Sequence, residues 1–420
     1  AAANAVDVDS TPRSPLSSQL PVGLCGFLWG GLPVPLFYYL GVVTLIHWNV
    51  VLSFMPIFSQ GLYKGVHWLG GDWGEWVPLC YAVATNIMLA VTTSRSVAAR
   101  LGTVSRLYAG CLVSVVSILG LLACDRLLQD ADKDFAMLLG LTNVVILGIG
   151  SSLLQGSIFG MAGSISPRLS SAVMVGQGAA GVASGVVGLP LGDSRTAAAI
   201  CMVVSSLAAL VVPPLFRHVA LSNSHLRRMM LPAAERDGTP LAAQRDLPPA
   251  TPMSHRSSAN ITRDAWPQAF SVWFVFLVTF VVFPGVTLHW TPAEHAKVVL
   301  AVFQFMDIAG RSCAEAERFR VTNGRTVSLM SLSRIVFVPM FMAVQRADGE
   351  WARSLWVKVP LMSAFSFTNG YVSTLSMMIG PVQKGVAEHE REFVGTLMSF
   401  GVVHGILWGS MLALTTQLGI

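Results

Sequence analysis

Apolar residues in this chain come in long runs separated by short polar breaks. Eleven runs of about 20 mostly apolar residues stand at roughly 35–58, 76–95, 105–124, 136–162, 169–191, 196–216, 266–290, 296–314, 326–345, 355–382 and 392–416. As helices, runs of this length cross a bilayer. The first seven and the last two contain a charge-free core of at least eighteen residues. The eighth and ninth carry Asp307, Arg311 and Arg334 within otherwise apolar sequence. The pattern predicts an all-α polytopic membrane protein with eleven transmembrane helices. The polar segment Arg217–Arg263, rich in Pro, Ala and Arg and without a helical apolar period, divides six spans from five. The expected organisation is an N-terminal cytoplasmic tail (1–34), a six-helix half (35–216), a flexible cytoplasmic linker (217–265) and a five-helix half (266–420). Residues 1–20 lack the basic region and apolar core of a cleavable signal.

Composition excludes other classes. Hydrophobic residues make up 53% of the chain and charged residues 12%, against about 25% in soluble proteins. No formal charge occurs from Ser14 to Tyr63. The net charge of +5 is not a nucleic-acid signal, because the bases sit in loops between apolar spans. Those loops predict orientation: with the N-terminus in the cytoplasm, seventeen Lys and Arg fall on the inner side and eight on the outer. The C-terminus is then extracellular. The sequon Asn260-Ile261-Thr262 falls on the inner side and reads as a chance match. Six cysteines, mostly in apolar stretches and never as a CxxC pair, read as small buried hydrophobes. No metal-binding or nucleotide-binding motif is present, so no cofactor is expected and direct ATP drive is excluded.

Small residues recur four apart at Gly156/Gly160, Gly181/Gly185, Gly188/Gly192 and Gly401/Gly405/Gly409, a spacing that lets helix backbones approach closely. Gly176-Gln177-Gly178-Ala179-Ala180-Gly181 superficially resembles a phosphate loop, but it lies in a span with no following Lys-Ser/Thr. The charge pair is the sharper signal. Asp307 and Arg311 are i, i+4 on one helix face, with Asp307 roughly 18 Å deep. Each ion near mid-membrane costs on the order of 3 kcal/mol, so something must offset it. Either the two merely pin the helix, or they face a polar pathway and bind a solute; intramembrane ionisable groups point to the second. Arg334 lies nearer the inner side, where its head can bend toward water, and reads as structural. Among uncharged residues, Trp48, Asn49 and Gln155 sit within spans. The two amides suit a heterocycle or interhelical hydrogen bonds equally, and Trp48 and His47 read first as packing.

Taken in order, these motifs resemble the equilibrative nucleoside transporter family. They are Trp48-Asn49; Leu154-Gln155-Gly156-Ser157-Ile158-Phe159-Gly160; Gly176-Gln177-Gly178-Ala179-Ala180-Gly181; Phe283-Pro284-Gly285-Val286-Thr287; Phe303-Gln304-Phe305-Met306-Asp307-Ile308-Ala309-Gly310-Arg311-Ser312; Arg334-Ile335-Val336-Phe337-Val338-Pro339; and Asn369-Gly370-Tyr371 with Gly380-Pro381. The resemblance implies a major-facilitator-like fold of six plus five helices. It implies transport of nucleosides, or nucleobases, across the bilayer by alternating access, facilitative by default, in a monomer of the plasma membrane. By the same resemblance Asp307 and Arg311 contact the ribose, Gln155 contacts the base, and Trp48, Asn49, Gln304 and Leu52 line the cavity. Three positions depart from the family pattern: His47 where many members have Pro, Gln304 where some have Asn, and Leu52 where Met occurs. His47 and Asp307 are the candidates for proton coupling, which stays open. The alternatives are an organic-cation carrier using Asp307 as counter-charge and a non-transporting receptor or scaffold.

Overall fold

The computed structural model describes residues 33–417 apart from 69–70, 95–96, 98–99, 192–193, 231–255, 284, 289–294 and 348. The tail 1–32, most of the linker and the last three residues therefore lie outside the described residues. Among the described residues there are eleven long helical stretches: α1 (Val34–Gln60), α2 (Trp73–Thr93), α3 (Thr103–Leu127), α4 (Lys133–Ile165), α5 (Pro167–Leu191), α6 (Arg195–Ser222), α7 (Ser258–Val282), α8 (His295–Glu315), α9 (Gly324–Arg346), α10 (Leu355–Ile379) and α11 (Arg391–Gln417). Among the described residues, eight of these are long and apolar enough to cross a membrane by length and composition alone.

Local chemistry sets the helix ends. Asp72 and Glu75 form a reciprocal capping box at the start of α2. The side chains of Asp132, Ser194, Ser257 and Ser354 accept from the first-turn amides of α4, α6, α7 and α10. Two boundaries differ from the apolar runs. α7 begins at Ser258, eight residues before the run, because the Ser257 cap starts a helix in polar sequence. It ends at Val282 because Pro284 forces the preceding residue toward extended backbone, and Phe283 is extended (φ −123°). Likewise α6 runs on to Ser222, and a short helix, Ser224–Met229, follows. α9 is interrupted by a 3-10 turn at Arg334–Val336. Pro339 supplies no amide to the carbonyl of Ile335, four residues back, and its ring crowds that oxygen.

Glycines set the closest helix crossings. A Cβ at Gly41 of α1 would lie 2.3 Å from the Val173 carbonyl of α5, and one at Gly176 would lie 2.1 Å from the Tyr38 carbonyl. The Gly405 and Gly409 positions of α11 meet the α7 carbonyls of Trp273 and Leu277 in the same way, at 2.3 and 2.5 Å. Between the first six helices and the last five, α2 and α4 pack on α11, and α5 packs on α8 and α10. One end of this seam carries polar ties. Tyr38 donates to Glu315, and Thr103 donates to Glu392, which also pairs with Arg106 at 3.5 Å. Beside them Arg256, ahead of α7, bonds Asp264, Glu390 and the Gly385 carbonyl, so this edge of the linker is pinned to the α10–α11 connection. Asp264 holds the Arg256 guanidinium above its ordinary range.

Candidate functional site

Asp307 and Arg311 meet where α8 crosses α5 and α10. Both side chains are buried, and Arg311 Nε donates to Asp307 Oδ2 at 2.6 Å. Placing them one helical turn apart with the acid first is enough to pair them locally. Their other partners come from distant sequence. Asn369 Nδ2 on α10 donates to Asp307 Oδ1 at 2.7 Å, and Arg311 Nη1 donates to the Met174 carbonyl on α5 at 2.8 Å. Glycine makes this reach possible. A Cβ at Gly370 would sit 2.0 Å from the Asp307 carbonyl, and one at Gly310 would sit 2.1 Å from that of Phe367, so α8 and α10 touch backbone to backbone. At Gly178 a Cβ would press on Arg311 Cδ at 3.1 Å, which opens α5 to the guanidinium.

The remaining candidates are spread along the same seam. Gln304, one turn before Asp307, lies against α5, its Oε1 2.3 Å from where a Gly181 Cβ would stand. Gln155 of α4 is buried and its amide approaches the Ser399 carbonyl of α11 at 3.5 Å. Among the described residues no hydrogen bond joins Gln155 to Asp307 or Arg311. On α1, Trp48 stacks on Tyr81 of α2 with centroids 3.8 Å apart and planes 9° from parallel. Asn49 is half-buried and Leu52 is exposed. His47 is buried against the backbone of Val43 and of Ser205 on α6, and its Nε2 has no hydrogen-bond partner. It thus packs on a different neighbour from Asp307.

Arg334 differs most from its sequence reading. Its head does not bend to the inner water: the side chain is 1% exposed. The guanidinium donates to the Phe365 carbonyl at 2.9 Å, to Thr368, and to Thr279 Oγ1 at 3.0 Å, and its Cζ lies 4.9 Å from the Phe365 ring centre. The 3-10 turn of α9 begins at this residue. Sequence reading passed over Asn369 and Thr279 as chemistry. A mid-span amide at Asn369 was the available signal for the first; an apolar-span Thr offers none. A further polar cluster, also unread, joins α2 to α11: His404 Nδ1 meets Asn86 Oδ1 at 3.1 Å, and Trp408 Nε1 donates to His404 Nε2 at 2.9 Å.

Residues 141–418 match the sequence family described as nucleoside transporter. The chain is 26% identical to rat equilibrative nucleoside transporter 2, covering 90% of this chain and 95% of that protein. It is 26% identical to mouse equilibrative nucleoside transporter 1, over 72% of this chain and 74% of the relative. Adenosine transporter 1 of Crithidia fasciculata is 33% identical over a shorter stretch, 34% of this chain and 30% of that protein. Among solved structures, the major facilitator superfamily proton:xylose symporter XylE superposes with a TM-score of 0.64 at 10% identity, covering 92% of this chain and 88% of its own. A bacterial homologue of the iron transporter ferroportin follows at 0.59 and 13%, covering 91% of each chain. These two likenesses show the fold: all-helical and of the major-facilitator type.

Proposed function

Because this chain belongs to the nucleoside transporter family, we propose that its cargo is a nucleoside and that Asp307 and Arg311 hold the sugar. The chain is a membrane transport protein and not an enzyme. One observation carries the site: a buried acid–base pair lies on the seam between the first six helices and the last five, where α5, α8 and α10 meet. Seams of this kind hold the solute sites of carriers whose two halves rock about the membrane midplane.

The donor and acceptor inventory supports a hydroxyl-rich solute. A carboxylate has about four acceptor directions. Arg311 and Asn369 each take one at Asp307, and sugar hydroxyls take the others. Of the five N–H groups of a guanidinium, Arg311 commits two to protein oxygens, at Asp307 and Met174. Nη1 also points to the Met174 sulfur, a weak acceptor, at 3.8 Å, which leaves Nη2 to donate to ribose oxygens. Gln155, on the α4–α11 contact, reads the base edge with its amide. Trp48, rigid against Tyr81, presents a flat apolar face, and Asn49, Gln304 and Leu52 complete the cavity wall. Movement is facilitative, through alternating access. The ties Tyr38–Glu315 and Thr103/Arg106–Glu392 close one end of the seam and must part for release there. The carrier works as a monomer in the plasma membrane, with its N-terminus and linker cytoplasmic and its C-terminus outside.

Uptake of radiolabelled adenosine, inosine, hypoxanthine and a model organic cation into vesicles reconstituted with the full chain tests this. Saturable adenosine or inosine entry is the expected result. Entry of the cation alone would replace the nucleoside reading with the counter-charge reading of Asp307.

A further inference from the structure

Beyond the pair itself, three side chains on three other helices line up behind Asp307. Arg334 Nη2 on α9 donates to Thr279 Oγ1 on α7 at 3.0 Å, Thr279 donates to Asn369 Oδ1 on α10 at 2.7 Å, and Asn369 Nδ2 donates to Asp307 Oδ1 at 2.7 Å. All four residues are buried. The direction of every bond is fixed by the ends, because a guanidinium only donates and a carboxylate only accepts. Asn369 must therefore turn its NH2 to Asp307 and its oxygen to Thr279. The hydroxyl of Thr279 also lies 2.7 Å from the Val275 carbonyl. A hydroxyl turned to Val275 would leave two acceptors, Thr279 Oγ1 and Asn369 Oδ1, facing each other at 2.7 Å, so the relay requires the proton to point to Asn369. Asp307 then receives an N–H at each oxygen, from Asn369 and from Arg311.

We infer that Arg334, Thr279 and Asn369 are positioning residues for solute binding: a polarised relay across α9, α7 and α10 that fixes the orientation of the Asp307 carboxylate. Arg334 has aromatic faces, two backbone or hydroxyl acceptors and the relay around it, and among the described residues no carboxylate within ion-pair distance. Its charge is felt by Asp307 through Thr279 and Asn369. The relay leaves Asp307 with lone pairs in set directions, so a solute hydroxyl meets an acceptor that is already aimed. This rests on the reading of Asp307 as the sugar's acceptor.

A double-mutant cycle on Thr279 and Asp307 decides it, since removing Arg334 outright risks misfolding. Thr279→Val keeps the side-chain volume and cuts the relay; Thr279→Ser keeps the hydroxyl. Purified full-length variants are reconstituted and KM and maximal rate are measured for a ribonucleoside and its 2′,3′-dideoxy analogue. Melting temperatures are recorded for the same four proteins of the cycle. Thr279→Val should raise the ribonucleoside KM on the order of tenfold, one charge-assisted bond's worth. It should change the dideoxynucleoside KM much less, and Thr279→Ser should restore the wild-type value. In an Asp307→Asn background the further Thr279→Val change should add nothing to KM, and should lower the melting temperature by a different amount than it does in the wild-type background, since Arg334 and Asn369 lose their Thr279 bonds in both. Equal loss for both solutes, or additive shifts across the cycle, overturns the relay. If the wild type fails to carry nucleosides or does not distinguish the two solutes, the sugar assignment falls. The melting-temperature cycle then decides the relay by itself, with nonadditive shifts supporting it and additive shifts refuting it.

Discussion

Asp307→Asn isolates charge from shape. The two side chains have nearly the same volume, so the α8–α10 contact at Gly370 is undisturbed. What changes is the proton inventory. Asp307 accepts from Arg311 Nε at 2.6 Å and from Asn369 Nδ2 at 2.7 Å. An amide can accept at one end only, so its NH2 faces an N–H of Arg311 or of Asn369 whichever way it turns. Arg311 also loses its compensating charge at a site where both partners are more than nine-tenths buried. Breaking a buried pair by removing one partner costs about 3–5 kcal/mol of stability, so surface expression must be measured alongside activity. For the solute, the loss is a charged acceptor. Hydrogen bonds to charged groups are worth about 1.5–3 kcal/mol, which is roughly one to two decades in affinity. A nucleoside lacking its 2′- and 3′-hydroxyls never used that acceptor. Ribonucleoside uptake in vesicles should therefore fall by roughly ten- to a hundredfold while dideoxynucleoside uptake falls much less. Equal loss of the two solutes at normal expression would refute the reasoning and leave Asp307 as a pin between helices.

Three other outcomes are expected. Gly370→Val drives a side chain into the Asp307 carbonyl, 2.0 Å from the Cβ position; overpacking of this kind costs about 1–3 kcal/mol, to be read as a lowered melting temperature with loss of uptake, and an unchanged melt would contradict the backbone contact. Uptake should proceed without an imposed proton gradient, since no second acid bonds Asp307 among the described residues and His47 packs on α6; sustained accumulation above equilibrium that a protonophore abolishes would point instead to coupling through one of these two. Epitope tags at position 240 and after Ile420 should stain on opposite sides of intact cells, and staining of both without permeabilisation would remove the eleven-span topology.

The long helices were legible in the apolar runs because a bilayer imposes a length on every crossing segment, and a charge-free run of that length has few other uses. The i, i+4 placement of Asp307 and Arg311 was equally legible, since a helix brings such residues together without help from the rest of the fold. Small-residue spacing announced close crossings but not their partners: Gly405 and Gly409 meet α7, and Gly41, outside any such pair, meets α5. The ends of α7 were misjudged because a capping Ser257 and the Pro284 that follows Phe283 act through backbone hydrogen bonds and sterics, which an apolar count does not register. For Arg334 a structural role was legible, but not its burial or its partners. Its partners lie on α7 and α10, 55 residues earlier in the chain at Thr279 and 31 later at Phe365. Asn369 likewise acquires its chemistry from Asp307, 62 residues away. A sequence specifies local period and local chemistry, whereas the partner of a buried polar group is chosen by how helices cross, and that choice exists only once they have packed.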